Sequence, residues 1–408
     1  MTSYVQGIDS VAAGVTTYTA IDGLVTGSTT QANVKTVISA PGTFKNLFVR
    51  AATGPGAGET ITVTLMVNGS AAALTAAISD GGTDAEGSDL VNEVAVVAGD
   101  WVAWRYVGSN NGSYTTRSPQ AVAEFVATTQ DECNLSGGIA GGADTWDTTT
   151  TYNSVVGTSV KNATESNRRM VIPVAGTIKN LYVQINTAPS AGDTRTFKLF
   201  KNGVVTTLVA TVSETGTTAN DTSNSVAVAA GDTVSIEVSA SAGATNSKGG
   251  FGMTFLSGTP NVFLRMASAS ANPSTSVANY IRPCTTNYTG VWGSSFTAMP
   301  SGLRAELVSL YVALVTAPGA GTSYAFAVRQ LNDGSASGND VETDCVVTVA
   351  DTDTTGNFTT SGQKLNWQDG FCYSCTPAGT PGAPGGTAIS TAHRYIASGN
   401  RSANRGFF

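Results

Sequence analysis

Apolar and polar positions along this chain alternate with a period of two in short runs. In TIKNLYVQI, residues 177–185, Leu181, Val183 and Ile185 fall on one face and Tyr182 and Gln184 on the other. TFKLFKNG (196–203) is rich in strand formers and closes on Asn202-Gly203, a hairpin dipeptide. SVAVAAGDTVSIEV (225–238) reads as strand, tight Ala-Gly-Asp turn, strand. No segment carries three or four turns of helical periodicity, and Gly and Thr interrupt every candidate. The pattern predicts an all-β chain.

The pattern also repeats. GTFKNLFVRAATGPGAG (42–58) returns as GTIKNLYVQINTAPSAG (176–192), and the motif T-x-P-x-A-G begins at Thr53, Thr187 and Thr316. A Leu-aromatic-Val triplet precedes each copy, at Leu47-Phe48-Val49, Leu181-Tyr182-Val183 and Leu310-Tyr311-Val312. Asn68-Gly69 and Asn202-Gly203 follow, then Asn332-Asp333-Gly334. NEVAVVAGDWVAWRY (92–106) answers NSVAVAAGDTVSIEV (224–238), and GQKLNWQDGFCYSCT (362–376) is their degraded third counterpart. A period of roughly 130 residues is too long for a solenoid repeat, so each copy is read as a whole domain. The expected units are 1–128, 129–258 and a divergent, cysteine-containing 259–408, joined by short links near 127–138 and 256–263. About eight strand-like runs per unit suit a tandem antiparallel β-sandwich of the jelly-roll kind, with an immunoglobulin-like sandwich as the alternative.

Composition narrows the function classes. Only 12% of the 408 residues are charged, roughly half the usual share. A net charge of −7 with 21 basic residues argues against a phosphate-tracking groove, so nucleic acid is not an expected partner. The N-terminal stretch has no basic segment followed by an apolar one, and no run reaches about 18 apolar residues, so neither Sec export nor membrane insertion is expected. Five cysteines, at 133, 284, 345, 372 and 375, are too few for a secreted disulfide framework and favour free thiols. Cys372 and Cys375 have the spacing of redox and zinc pairs, but a second C-x-x-C is missing and in a strand the two face apart.

Catalytic chemistry finds little purchase. The single histidine, His393, lies in a predicted final strand without a triad motif, and is read as structural or surface. The segments 79–89, 213–223 and 350–360 are read as equivalent hairpin loops. Asp80, Asp84, Glu86 and Asp89, or Asp351 and Asp353, would offer oxygen ligands to calcium there, against the simpler reading of solvated turns. Asp84 and Glu86 as the acid and base of a polysaccharide depolymerase is a remote third alternative. No metal site or cofactor is expected. Trp101 and Trp104, on opposite faces of one strand, are candidates for glycan stacking or for burial. Phe48, Tyr182 and Tyr311, on the less apolar face in all three units, are candidates for contacts between units or subunits, or for ordinary packing on that face.

Taken together, G-T-[FI]-K-N-L-[FY]-V, T-x-P-x-A-G, N-G and A-V-x-A-G-D-x-V resemble jelly-roll modules, loosely like C1q or tumour-necrosis-factor domains, of phage virion proteins and bacterial surfaces. The resemblance implies trimeric assembly and a structural or adhesive role. The expected function is a non-enzymatic structural protein of a phage virion: a capsid decoration, head-fibre or tail-associated protein on the virion surface. Its expected partners are other virion proteins and itself, as a homotrimer or pseudo-trimer. The alternative is a bacterial surface adhesin or glycan-binding, receptor-binding module.

Overall fold

The computed structural model describes residues 2–8, 10–25, 27–79, 81–142, 144–158, 160–269, 272–281, 299–300, 304–331, 340–359, 363–365 and 370–396. Among them the regular structure is β throughout, apart from two short 3-10 turns at 31–33 and 165–168.

In the first unit the strands are β1 (Thr2–Ile8), β2 (Thr16–Thr19), β3 (Gly23–Val25), β4 (Thr36–Val37), β5 (Gly42–Thr53), β6 (Thr60–Val67), β7 (Ser70–Ser79), β8 (Thr83–Asp89), β9 (Val94–Val96), β10 (Trp101–Gly108) and β11 (Gln120–Ala127). One sheet runs β3-β1-β11-β5-β8, the other β2-β10-β6-β7, with β4 also on β10 and β9 on β5. Counting only the eight long strands, the orders are 1-8-3-6 and 2-7-4-5, the interleaved wiring of a jelly roll rather than of an immunoglobulin sandwich. Between the sheets lies one apolar core holding Phe44, Leu47 and Val49 of β5, Phe125 of β11, Leu65 of β6 and Trp104 and Tyr106 of β10.

The second unit repeats the design: β12 (Glu132–Ile139), β13 (Thr151–Asn153), β14 (Gly157–Thr158), β15 (Met170–Val171), β16 (Gly176–Ile185), β17 (Thr194–Lys201), β18 (Val204–Ser213), β19 (Thr218–Val228), β20 (Thr233–Ala240) and β21 (Gly249–Ser257). Its sheets run β14-β12-β21-β16-β19 and β13-β20-β17-β18. The third has β22 (Val262–Ala269), β23 (Asn279–Ile281), β24 (Met299–Pro300), β25 (Ala305–Leu314), β26 (Gly319–Leu331), β27 (Asp340–Asp351), β28 (Thr355–Thr359), β29 (Lys364–Leu365), β30 (Gly370–Ala378) and β31 (Thr387–Tyr395), in sheets β22-β31-β25-β28 and β23-β30-β26-β27. Leu181, Val183 and Ile185 point into the second core as the alternation requires. Fully burying each such side chain is worth about 1.5–3 kcal/mol.

Two expectations are corrected here. The first link is only 128–131, because 132–139 is the buried strand β12; its alternation is masked by Gly137, Gly138 and polar residues that face a neighbouring unit. The acidic segments 79–89 and 213–223 are not long loops: β7 ends at Ser79 and β8 already begins at Thr83, while β18 ends at Ser213 and β19 begins at Thr218, and β8 and β19 lie against β5 and β16.

The local motifs have local reasons. Asn46 and Asn180 sit at φ 53° and 56° within a β-bulge, a backbone region that Asn tolerates better than most residues. The T-x-P-x-A-G loop is a backbone device, since its Pro55, Pro189 and Pro318 carbonyls accept amides from Thr115, Thr245 and Gly382 at 2.7, 2.6 and 2.6 Å.

Candidate functional site

The short strands β4, β15 and β24 organise the molecule. Each pairs with its own unit's strand β10, β20 or β30, and each packs on the eight-strand design's first sheet in another unit. β4 lies across β12, β21 and β16 of the second unit; β15 lies across β22, β25 and β31 of the third; β24 lies against β1 and β11 of the first. The contacts run from first to second, second to third and third back to first. They close on themselves.

At the first junction the seam is polar and very close. The Ser39 amide donates to Asn134 Oδ1 at 2.7 Å, and Asn134 Nδ2 and Ser136 Oγ both donate to the Val37 carbonyl at 3.1 Å. Thr254 Oγ1 donates to Ser39 Oγ at 3.0 Å. Gly250 and Gly252 lie directly beneath: a Cβ on them would sit 2.3 Å from the Lys35 carbonyl oxygen and 2.2 Å from that of Val37. The run GGFG at 249–252 therefore serves close backbone approach. Lys35 Nζ reaches the Ile185 carbonyl at 3.3 Å, and burial lowers its pKa.

The second junction is apolar at matching positions. Asn134 pairs in register with Thr254, and Ser136 with Gly252; their counterparts are Leu264 with Ala392 and Met266 with Ser390. Leu264, Met266 and Ala392 belong to one apolar cluster with Met170 and Ile172. Ser309 Oγ donates to the Pro173 carbonyl at 2.8 Å, and Ser154 and Ser268 hydroxyls meet at 2.9 Å.

Two of the recurring aromatics lie along these seams. A Cβ on Gly99, in the first unit's Ala-Gly-Asp turn, would stand 3.6 Å from the ring of Tyr182, and Gln184 Nε2 donates to the Gly99 carbonyl. Tyr311 takes the same place against Gly231, at 3.9 Å. Phe48 holds the matching register position opposite Val122 and is 5% exposed. Residues 366–369, including Asp369, lie outside the described residues. The three aromatics are thus dispersed, one per unit, rather than gathered into one pocket.

The tryptophans divide. Trp104 is wholly buried in the first core, so it is unavailable as a stacking surface for a glycan. The odd spacing fixed only that the two indoles face apart; the covering sheet decides which is inside. Trp101 is half-buried on the outer face, with Lys35 Nζ 5.2 Å from its ring centroid.

The acidic residues have structural work. Asp89 accepts the amides of Val91, Asn92 and Thr75, and Asp221 repeats this with Ser223, Asn224 and Val209. Burial alone would raise both carboxyls, but these donors hold them below the ordinary range. Glu86 lies exposed on β8 opposite Arg50, and Asp84 is on the same strand. Asp351 Oδ1 accepts the Gly321 amide at 2.7 Å and Asp353 is exposed; Asp80 lies outside the described residues. Among the described residues no three of His, Cys, Asp or Glu gather closely enough to hold a metal ion.

Cys133, Cys345, Cys372 and Cys375 are buried, and Cys284 lies outside the described residues. Burial pushes the Cys345 thiol up to about 12 and raises Cys375 further. His393 is fully buried in β31. No helix among the described residues is long and apolar enough to cross a membrane.

The seam residues 35–39, 134, 136, 250 and 252 were not singled out from the sequence. A two-residue strand leaves no periodicity to detect; the outward-facing glycines of GGFG were the one available signal. No protein-family model matches the chain, and no curated protein matches it in sequence.

Proposed function

We propose that this chain is a non-enzymatic structural protein of a bacteriophage virion, a decoration, head-fibre or tail-associated component that acts through assembly and surface contact. The observation that carries the reading is the closed cycle of β4, β15 and β24: three like units bury one another's sheets as the subunits of a trimer would, within one chain. A pseudo-trimer suits docking on a symmetric shell or tail, where the partners are other virion proteins. The charge-poor composition, rich in Thr, Ser, Gly and Ala, fits such a role, as does the structural use of Asp89, Asp221 and the buried thiols. Particles purified through a density gradient from cells carrying this gene test it. The chain is expected at a fixed copy number per particle by quantitative mass spectrometry; its retention in the particle-free fraction would overturn the reading.

A further inference from the structure

The one histidine of the chain occupies a position that is phenylalanine in the other two units. In register, Phe125 faces Phe44, Phe255 faces Ile178, and His393 faces Leu307. His393 stacks on Phe263, with centroids 5.3 Å apart and planes at 18°, and lies 5.6 Å from Phe371. Its Nε2 meets Thr391 Oγ1 at 2.7 Å, while Nδ1 is buried without a hydrogen-bond partner.

A second cation shares the same two rings. The guanidinium of Arg265, 1% exposed, lies 4.7 Å from the centroid of Phe371 and 5.6 Å from that of Phe263. Around His393 lie Phe263 and Arg265 from β22, Phe371 from β30, Leu307 from β25 and Thr391 from its own strand, with Tyr373 of β30 reached through Thr391. Arg265 is the charged group among them. Tyr373 OH is held by Thr391 Oγ1 at 2.7 Å and the Arg265 carbonyl at 3.1 Å. Glu306 and Arg394 pair with each other at 3.3 Å, one strand position away on the opposite face.

The contacts then lead to the seam. Phe371 pairs in register with Met299 of β24, and β24 is the strand that rests on β1 and β11 of the first unit.

We propose that His393 makes the third unit an acid-sensitive latch, whose protonation loosens β30 and β24 and opens the contact between the third and first units. An imidazolium here would need an acceptor at Nδ1 and would stand beside Arg265. Burial, and then the field of Arg265, accordingly hold the imidazole well below its ordinary range. The native state therefore resists a proton that the unfolded state binds at about pH 6.5. The stability contributed by the neutral ring is complete above that pH. Below it, opening of the third unit becomes about tenfold more favourable per pH unit. The proposal is independent of the virion assignment.

Because His is unique in the chain, the experiment is assignable. Hydrogen exchange by mass spectrometry, expressed as protection factors, is measured on the full chain between pH 7.5 and 5. Peptides covering 2–8, 120–127 and 370–395 are expected to lose protection about tenfold per pH unit below 6.5, while 194–213 keep theirs. His393→Phe, or His393→Gln if the first does not fold, is expected to flatten that dependence. Three results would each overturn the proposal: no pH dependence in the wild type, dependence persisting in the folded variant, or loss confined to 370–395 with the first unit unaffected.

Discussion

Asn202 and Asp232, 30 residues apart in the chain, meet through a hydrogen bond of 2.7 Å from Asn202 Nδ2 to Asp232 Oδ1. Asn202 Oδ1 then accepts the Thr233 amide at 2.8 Å, and Asp232 Oδ2 accepts the Ala229 amide at 2.7 Å. Asn68 and Asp100 repeat the clamp at 2.6 Å. The Asn-Gly and Ala-Gly-Asp motifs are therefore halves of one structure: a hairpin tip bolted to the turn before the next strand. Both Asn residues and both following glycines have positive φ, at 51° and 77° in the second unit, as a primed hairpin turn requires.

Substituting Asn202 by Ala is expected to cost about 1–2 kcal/mol, because it leaves two groups without their partner. Asp232→Ala should cost a similar amount, and the double variant less than the sum of the two. Denaturant unfolding of the single and double variants measures the coupling; strictly additive costs would refute the clamp.

Gly252→Ala is expected to destabilise the first junction by about 1–3 kcal/mol, since its Cβ would intrude on the Val37 carbonyl. Limited proteolysis should show faster cleavage in the 128–131 link than in the wild type.

Asn134→Leu copies the second junction's residue into the first. It strips the Ser39 amide and the Val37 carbonyl of a partner, with an expected cost of about 1–3 kcal/mol. Leu264 cannot serve the first seam, nor Asn134 the second, so the chemistry keeps the units in order. A thermal melt of Asn134→Leu beside Leu264→Asn tests this; both should melt lower.

The two tryptophans should respond unequally. Trp104→Ala removes a fully buried indole and is expected to cost about 3–5 kcal/mol. Trp101→Ala forfeits partial packing and a cation–π contact of about 0.5–1 kcal/mol. Chemical denaturation of each variant compares them.

The four described thiols should resist a water-soluble disulfide reagent at pH 8 until the protein unfolds, because all four are buried away from the reagent, and in Cys345 and Cys375 burial also suppresses the reactive thiolate. Peptide mapping after labelling checks Cys133, Cys345, Cys372 and Cys375 individually. Rapid labelling of Cys345 in the native protein would contradict the burial described.

The sequence alone determined the all-β character, the triplicate pattern, the hairpin at Asn202-Gly203 and the inward face of Leu181, Val183 and Ile185. Those features are written in local periodicity and turn chemistry, which act over a few residues. Only the tertiary structure decided that Trp104 is inside and Trp101 half outside, since alternation separates two faces without saying what covers either. It alone decided that Asn68 meets Asp100, that 84–89 is strand, and that β4 crosses onto Gly250 and Gly252. Contacts between residues that far apart depend on how sheets stack, and a two-residue strand carries no pattern of its own from which to read them.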